Sequence, residues 1–285
     1  MKNAKAMSLV LSVMALMGGQ ASADILVNDT FSDAERSTQS LPSSVHWFGG
    51  SATTTLAVTS GALVLPATTQ PKESGTLGFF TVDDSPLTLN VGDTLKLSFT
   101  ITTPVGAKVD DNSFWYGFLD STAGTRPTVD GSFDNARYNA YTGYLAAAPL
   151  AGAHTLRNKI VQRVGGANNL TTSANVSQIG ATAATPNLAA GTYTFSLTMV
   201  RDSATQITLT SDMGGVELIR VDDATDDQPL LTAFDSVFIW TSNSSVAVPI
   251  DDILVEFTPA VVPEPASLAL MGFGVAVVVG RRRRA

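Results

Sequence analysis

Apolar and polar residues alternate with a period of two through much of this chain. Every second residue is apolar in segments 94–101 and 193–199, and the alternation recurs at 206–209 and 253–257. This period indicates strands that bury one face. No segment between residues 24 and 258 shows a convincing helical period, so the body of the chain is predicted to be all-β.

Turn signals separate the predicted strands. Glycine occurs in candidate turns at 90–93, 130–132, 190–191 and 213–215. The sequence Met213-Gly214-Gly215 predicts a tight hairpin between strands at 206–211 and 216–221, and a further strand pair is expected within 54–65. Many short strands rich in Thr and Val indicate a sandwich or a barrel.

The length of the body favours a single domain. About 235 residues suit one jelly roll of a dozen or more strands. Two smaller sandwiches would need a linker near the middle, for which 146–154, rich in Ala, Pro and Gly, is the candidate. Because no internal repeat supports that division, one domain over residues 24–258 is predicted.

The two ends of the chain differ from the body and are predicted to direct transport. Lys2 and Lys5 precede an apolar run at 6–17 and the sequence Ala21-Ser22-Ala23. This order predicts a secretory signal peptide over residues 1–23, cut by signal peptidase after Ala23.

The other end combines a short motif, an apolar segment and a basic cluster. Pro263, Glu264 and Pro265 precede the uncharged segment 266–280. The basic cluster that follows consists of Arg281, Arg282, Arg283 and Arg284. A helix over 266–280 is ~22 Å long, so spanning a ~30 Å hydrocarbon core requires local thinning and snorkelling arginines. We predict a transmembrane helix with cytoplasmic arginines; the alternative is a buried core helix.

This ending resembles the PEP-CTERM sorting signal of Gram-negative bacteria. The resemblance implies recognition by an exosortase, a membrane transpeptidase, with cleavage near the Pro-Glu-Pro motif. It also implies export across the inner membrane, transient anchoring there, and a final place at the cell surface or in an extracellular matrix of polysaccharide or biofilm. Such signals occur on many unrelated bodies, so the resemblance assigns no activity.

The body is strongly acidic and free of cysteine. The chain has 17 Lys and Arg and 25 Asp and Glu; six of the former and one of the latter lie in the two ends, which leaves a body charge of −13. This charge argues against nucleic acid and anionic lipid as partners. The absence of cysteine excludes thiol catalysis and every zinc or iron–sulfur site that needs cysteine.

The order of the body resembles the concanavalin-like jelly roll of lectins and glucanases. The resemblance rests on an opening at 29–33, on Gly92-Asp93-Thr94-Leu95 before a long strand, and on Ile250-Asp251-Asp252-Ile253 near the end. It implies that the first and last strands of the body pair. It supports an architecture more than an activity.

No catalytic constellation is evident, and no catalytic residue is predicted. The glucanases of this fold use a Glu-x-Asp-x-x-Glu strand, which the chain lacks. Asp252 and Glu256 would be ~13 Å apart on a strand, too far for two carboxylates that cleave a glycosidic bond with retention. Neither His46 nor His154 accompanies a Gly-x-Ser-x-Gly sequence.

Two groups of residues are candidates for binding. Aspartate pairs at 83–84, 110–111, 222–223 and 226–227 suggest a structural calcium ion or, alternatively, solvated turns. Trp115, Tyr116, Tyr138 and Tyr141 are candidates for stacking on sugars, the alternative being that they fill the core. On its predicted strand Trp115 faces opposite to Phe114 and Tyr116.

Three functional hypotheses follow from these observations. The preferred one is a non-catalytic, exported surface or matrix protein associated with extracellular polysaccharide. The second is a lectin with one defined carbohydrate pocket, with or without a dependence on calcium. The third is a divergent polysaccharide-active enzyme.

Overall fold

The strands predicted from the period-two pattern are present. The computed structural model describes residues 22–37, 45–50, 55–67, 73–103, 114–149, 156–170, 175–186, 188–224, 228–242 and 247–261. In these ranges the elements are β1 (Asp24–Asp29), β2 (Trp47–Gly49), β3 (Ala57–Thr59), β4 (Ala62–Leu65), β5 (Glu73–Phe79), β6 (Leu87–Thr88), β7 (Thr94–Thr103), β8 (Phe114–Asp120), a 3-10 helix (Ala136–Tyr138), β9 (Thr142–Ala148), β10 (Leu156–Arg163), β11 (Val176–Ala184), β12 (Gly191–Arg201), β13 (Gln206–Met213), β14 (Glu217–Asp223), β15 (Ala233–Phe234), β16 (Ser236–Ser242) and β17 (Val248–Thr258).

These strands form two antiparallel sheets and one small two-stranded antiparallel pair. Sheet A has the order β14-β13-β12-β7-β17-β4-β3, and β1 also pairs with β17. Sheet B has the order β11-β10-β9-β8-β16-β5-β2, and β15 pairs with β6. The pairing of β1 with β17, in which Asp24 lies opposite Phe257, confirms the pairing of first and last strands that the concanavalin-like resemblance implied.

The two halves of the body interleave in both sheets. In sheet A, β7 lies between β12 and β17, and in sheet B, β8 lies between β9 and β16. The proposed linker at 146–154 falls partly in β9, which pairs with both β8 and β10. The alternative of two separate sandwiches joined there is therefore wrong, and Ala23–Thr258 groups as one compact unit.

The predicted hairpin at 213–215 is also confirmed. Strands β13 and β14 pair from Gln206–Asp223 to Asp212–Glu217. Gly214 and Gly215 have φ values of +64° and +91°, in the left-handed region that glycine adopts without a steric penalty. Strand β13 extends two residues further toward the turn than predicted, and β14 begins one residue later and ends two residues later. Cross-strand pairing from Gln206–Asp223 to Asp212–Glu217 accounts for both extensions.

The space between the sheets is filled by the apolar side of the alternation. Leu95, Leu97 and Phe99 on β7 are at most 1% exposed, as are Phe195 and Leu197 on β12. The rings of Phe99 and Phe195 lie 5.7 Å apart at their centroids. This interior is the main core of the protein, and it fixes which side chains of each strand face outward.

A second apolar cluster lies on the outer face of sheet B. It is formed by Leu77, Trp115, Leu119, Phe133, Tyr138, Tyr141, Leu145, Ala147, Val161, Leu170, Phe238 and Trp240. Segments 121–141 and 164–170 contribute Phe133, Tyr138, Tyr141 and Leu170 to it, so these connections cover the sheet. We call segment 121–141 the covering loop.

Two edge strands of the sandwich are bridged by one arginine. Arg220 on β14 donates from Nε to the carbonyl oxygen of Ala181 on β11 at 3.1 Å, and its Nη2 donates to the same oxygen. Its Nη1 donates to its neighbour's carbonyl, that of Ile219, at 2.6 Å. The guanidinium thus occupies carbonyl groups on the edges of both sheets, where an unpaired strand would otherwise invite another chain.

Several predictions about the ends concern residues outside the described ranges. Most of the predicted signal peptide lies there, as do Pro263, Glu264 and Pro265, the segment 266–280 and Arg281–Arg284. Among the described residues, no helix has the length and apolar character needed to cross a membrane.

Candidate functional site

The four aromatic residues proposed from the sequence as sugar-stacking groups are buried. The exposed fraction is 4% for Trp115, 2% for Tyr138 and 0% for Tyr116 and Tyr141. Stacking on a sugar requires an accessible ring face, which these four side chains do not offer. The alternative, that they fill apolar cores, describes their positions.

Each of these rings has a structural partner. Tyr116 lies in the main core, and its hydroxyl donates across the sandwich to the carbonyl oxygens of Ser196 and Asp212, both at 3.1 Å. Trp115 points the opposite way, as the alternation predicted, and packs edge-on against Trp240 in the second cluster. Burial raises the pKa of Tyr138 to about 12.

A buried ionic network holds the start of the covering loop. Asp235 is 1% exposed and accepts hydrogen bonds from the backbone N–H of Ser121 at 3.1 Å and from Arg126 Nη2 at 2.9 Å. Arg126 Nη1 also donates to the carbonyl oxygen of Thr81 at 2.7 Å, and its Nε lies 3.0 Å from the exposed carboxylate of Asp83. These contacts tie the loop to sheet B, so the network is structural.

A second ion pair holds the middle of the covering loop. Arg36 meets Asp130 with two nitrogen–oxygen distances of 2.7 and 2.8 Å, and the backbone N–H of Gly49 donates to Asp130 at 2.8 Å. Although burial opposes it, the hydrogen bonds from Arg36 and Gly49 hold the pKa of Asp130 below its usual value. Nearby, burial and the charge of Arg36 lower the pKa of His46, whose ring lies 4.4 Å from that of Phe48.

Within the described part of the chain, the aspartate pairs at 83–84 and 222–223 do not converge with further His, Asp or Glu side chains. No group of three or more His, Cys, Asp or Glu residues converges there. Asp83 faces Arg126, Asp222 accepts a hydrogen bond from the hydroxyl of Tyr144, and Asp223 accepts one from Gln206 at 2.8 Å. The pairs at 110–111 and 226–227, like His154, lie outside the described residues.

An open groove lies on sheet A instead, at the end where β12 begins and the β13–β14 hairpin turns. Its volume is about 450 Å³, and its lining residues are Thr192, Tyr193, Thr194, Ser196, Asp212, Gly214 and Gly215. Tyr193 precedes Phe195 and Leu197 in the inward-facing series on β12, and its half-buried side chain packs against the main core. The groove therefore combines outward-facing hydroxyls with one carboxylate.

The hairpin turn shapes this groove. Asp212 Oδ1 accepts a hydrogen bond from the backbone N–H of Gly215 at 2.8 Å, and Gly214 N–H donates to the carbonyl oxygen of Thr194 at 3.1 Å. A Cβ atom at Gly214 would lie 2.9 Å from Cδ1 of Tyr193. Only glycine lets the turn approach the ring this closely, so the turn fixes the position of the Tyr193 side chain.

The groove opens onto a face of sheet A that is rich in hydroxyl groups and poor in charge. On the central strands β7, β12 and β13, the outward positions alternate with the buried core positions. The outward residues that carry hydroxyl groups form a set that we call the hydroxyl strip. Its members are Thr94, Ser98, Thr100, Thr102, Thr192, Thr194, Ser196, Thr198, Thr208 and Thr210. The other outward positions on these strands are Lys96, Val200, Gln206 and Asp212.

Cross-strand pairing brings these hydroxyls together. Thr100 lies opposite Thr194, and Thr102 lies opposite Thr192, with their Oγ1 atoms 3.1 Å apart. Thr198 lies opposite Thr210 in the neighbouring pair of strands. The threonine alternation at 94–102 and 192–198 is visible in the sequence, but the adjacency of the three strands is not, which is why sequence reasoning missed this face.

The groove suits hydroxyl-rich ligands better than charged ones. Its hydroxyls can donate and accept hydrogen bonds, and Asp212 can accept them. The lining residues include a single carboxylate, whereas glycoside cleavage uses a pair. The groups present are those of a hydrogen-bonding surface.

Sequence comparison supports the interpretation of the C-terminal end. Residues 261–284 match the family described as the PEP-CTERM protein-sorting motif, which confirms the resemblance noted for that segment. The motif indicates an exosortase-targeted surface protein. No curated protein matches the chain.

Structure comparison supports the fold. A Bacillus subtilis protein of unknown function with a galectin-like fold matches with a TM-score of 0.51 and 11% identity, over 84% of this chain and 99% of its own. Lectin I-B4 from Griffonia simplicifolia, in a metal-free form, matches with a TM-score of 0.43 and 16% identity, over 84% of this chain and 99% of its own. The VIP36 exoplasmic/lumenal domain, in a Ca²⁺/Man-bound form, matches with a TM-score of 0.48 and 10% identity, over 85% of this chain and 91% of its own. Only the first similarity supports an inference, and it concerns the fold alone: a galectin-like, all-β sandwich.

Proposed function

We propose that this protein is a non-catalytic, exported surface or matrix protein whose β-sandwich binds extracellular polysaccharide through the groove on sheet A. The observation that carries the proposal is the lining of that groove, in which the outward-facing Thr192, Thr194 and Ser196 lie beside Asp212. Such a group of hydroxyls with one carboxylate can exchange hydrogen bonds with the hydroxyls of a sugar.

The sorting signal supports the extracellular part of the proposal. After export, signal peptidase removes residues 1–23, the C-terminal segment holds the protein in the inner membrane, and exosortase processes it near Pro263–Pro265. The acidic body then remains soluble outside the cell, where hydroxyl-rich polymers are the available partner.

The sorting step has a direct test. A chain truncated before Pro263 is expected to appear in the culture medium, while the full chain stays with the cell envelope. Cell fractionation with an antibody against the body measures both forms. Equal cell attachment of the truncated and full chains would contradict the role of residues 263–285.

The binding step is tested by affinity electrophoresis in gels that contain neutral polysaccharides, such as β-glucan, mannan and galactan. The full-length protein in mild detergent should be retarded by at least one of them. Thr194→Val and Asp212→Asn, which keep the shape of the groove, should each weaken retardation several-fold, as expected for the loss of ~1 kcal/mol per hydrogen bond.

The control for this test is Thr88→Val, an exposed strand position on β6 away from the groove. It should leave retardation unchanged. If the groove variants are retarded as strongly as the original protein, the groove is not the binding site. Tight, selective binding of one sugar in a glycan array would favour a lectin with a defined pocket over a general matrix protein.

The proposal requires no metal ion in the groove. Retardation should therefore be the same with calcium and with a chelator. Loss of binding in chelator, together with a lower midpoint of thermal unfolding, would instead show a calcium ion that stabilises the folded state.

A further inference from the structure

The outward face of sheet A carries fewer charged residues than we expect for an exposed sheet face in so acidic a protein. The body has 24 acidic residues, yet the outward positions of β7, β12 and β13 include only one acidic residue, Asp212, and one basic residue, Lys96. Protein surfaces normally mix charges of both signs. Depletion of charge, by contrast, is a property of binding surfaces.

Carboxylates border this face on both sides. On β14, Glu217 lies beside Asp212 and Asp223 lies beside Gln206. On β17, Asp251 lies beside Thr100, and Glu256 lies beside Lys96 with a nitrogen–oxygen distance of 3.8 Å. We call Glu217, Asp223, Asp251 and Glu256 the carboxylate rim.

The strip is also larger than the groove. At ~3.4 Å per residue, the distance from Thr94 to Thr102 along β7 is ~27 Å, and the three strands together span ~10 Å across. The groove occupies one end of this area, where Thr192, Thr194 and Ser196 belong to both the groove and the strip. A single sugar in the groove would leave most of the strip uncovered.

Resting on the proposed function, we infer that the ligand is an extended chain of a neutral polysaccharide that lies along the hydroxyl strip, with one sugar unit in the groove. Hydroxyls at regular strand spacings can exchange hydrogen bonds with successive sugar units. An acidic polysaccharide is disfavoured, because its carboxylates would approach both the carboxylate rim and Asp212, and like charges at an interface cost free energy.

The length of the ligand provides the first test. In calorimetric titrations of the full-length protein with oligosaccharides of whichever neutral polymer retards it, the hexamer should bind about tenfold more tightly than the disaccharide. Equal affinities would overturn the extended site and leave the groove, and hence the proposed function, standing. If none of the neutral polymers retards the protein, both the inference and the proposed function fail.

A charge placed on the strip outside the groove provides the second test. Thr210→Glu should lower hexamer affinity about tenfold while leaving disaccharide affinity unchanged. The matched control is Thr182→Glu, an exposed threonine on β11 of sheet B, which should change neither. The double variant Thr198→Val and Thr210→Val removes hydroxyls while keeping good strand formers, and it should give the same pattern if the charged variant folds poorly.

Two further outcomes would overturn the inference alone. Stronger retardation by alginate or polygalacturonate than by every neutral polymer would show that the ligand is acidic. Size-exclusion chromatography is run in parallel: if the protein is a dimer that Thr210→Glu dissociates, the strip is an interface between copies of the chain and not a polysaccharide site.

Discussion

The outer faces of the two sheets of this sandwich differ in composition and in exposure. The outer face of sheet B carries large apolar side chains such as Trp115, Leu145 and Phe238, and the covering loop buries them. The outer face of sheet A carries the hydroxyl strip, which has intermediate to full exposure along its length. Both faces belong to the same fold and come from strands of similar length.

This difference separates a face that contributes strongly to stability from a face whose side chains stay accessible. The covered face adds a second apolar core and depends on ionic contacts at Asp235 and Asp130 to keep its loop in place. The open face contributes little apolar burial, and its side chains remain available to a ligand. Sequence changes on the two faces should therefore have different consequences, large for stability on the covered side and small on the open side.

Removing a ring beneath the covering loop should have the largest effect. Phe133 is 1% exposed and lies 5.3 Å from the ring of Phe238 and 5.6 Å from that of Tyr138. Phe133→Ala should lower the free energy of unfolding by about 3–5 kcal/mol, through lost burial and the cavity that remains. Urea denaturation measures this, with Thr198→Ala on the open face as the control.

The control should change the free energy of unfolding by less than about 1 kcal/mol, because its hydroxyl faces solvent. If the two variants are equally destabilised, the contrast between covered and open faces is wrong. The contrast would also be wrong if Phe133→Ala lowered the free energy of unfolding by no more than a surface substitution does.

Breaking the buried network at the loop start should have the next largest effect. Arg126→Met leaves the carboxylate of Asp235 without its charged partner, although the Ser121 hydrogen bonds remain. The expected loss is about 3 kcal/mol, at the low end for an unpaired buried charge. A double-mutant cycle with Asp235→Asn measures the coupling, and additive effects of the two changes would show that the pair is not coupled.

The buried tyrosines make stability fall at alkaline pH. Burial raises the pKa of Tyr138 to about 12 and raises that of Tyr141 further, whereas an unfolded tyrosine titrates near pH ~10. The folded protein therefore binds more protons above pH ~10, so the free energy of unfolding decreases as pH rises through the interval from pH ~10 to the folded pKa values. Below pH ~10 the protonated tyrosines make their full contribution to the free energy of unfolding.

Absorbance near the phenolate band, followed with circular dichroism, tests this expectation. Ionisation of the buried rings should accompany unfolding instead of preceding it. The variant Tyr138→Phe should show a shallower decrease of stability with pH. Full ionisation of all tyrosines in the folded state near pH ~10 would show that the covering loop does not exclude solvent.

The smallest effect on stability is expected at the bridged edge. Arg220→Gln removes the contacts to Ala181 and exposes the edges of β11 and β14. Because Arg220 is only half-buried and these contacts lie at the sheet edges, the free energy of unfolding should change by less than about 1 kcal/mol. Self-association should increase instead, which analytical ultracentrifugation detects. Arg157→Gln is the control, and an unchanged monomer fraction for Arg220→Gln would rule out a protective role.

The sequence predicted much of the fold because the signal is local. Alternation located β7 and β12 nearly to their ends, and the glycines of 213–215 located the hairpin. The opposite orientations of Trp115 and Tyr116 also followed from the period of a strand. These features depend on neighbours within a few residues.

The site depended on contacts that are distant in sequence. Nothing local shows that residues 121–141 fold back over Trp115, so its exposure could not be inferred from its own strand. Likewise, Ser196 and Asp212 lie opposite each other only because β12 and β13 pair in a particular register. A threonine on a strand is in addition an ordinary strand former, so its type alone does not indicate a binding face.

The position of β17 also has a mechanical consequence. This strand is the last of the body, and it pairs with β7 on one side and with β1 and β4 on the other. A pull transmitted from a tether beyond Thr258 would run along the strand, at right angles to its ladder bonds. Many bonds must then yield together before the body unravels.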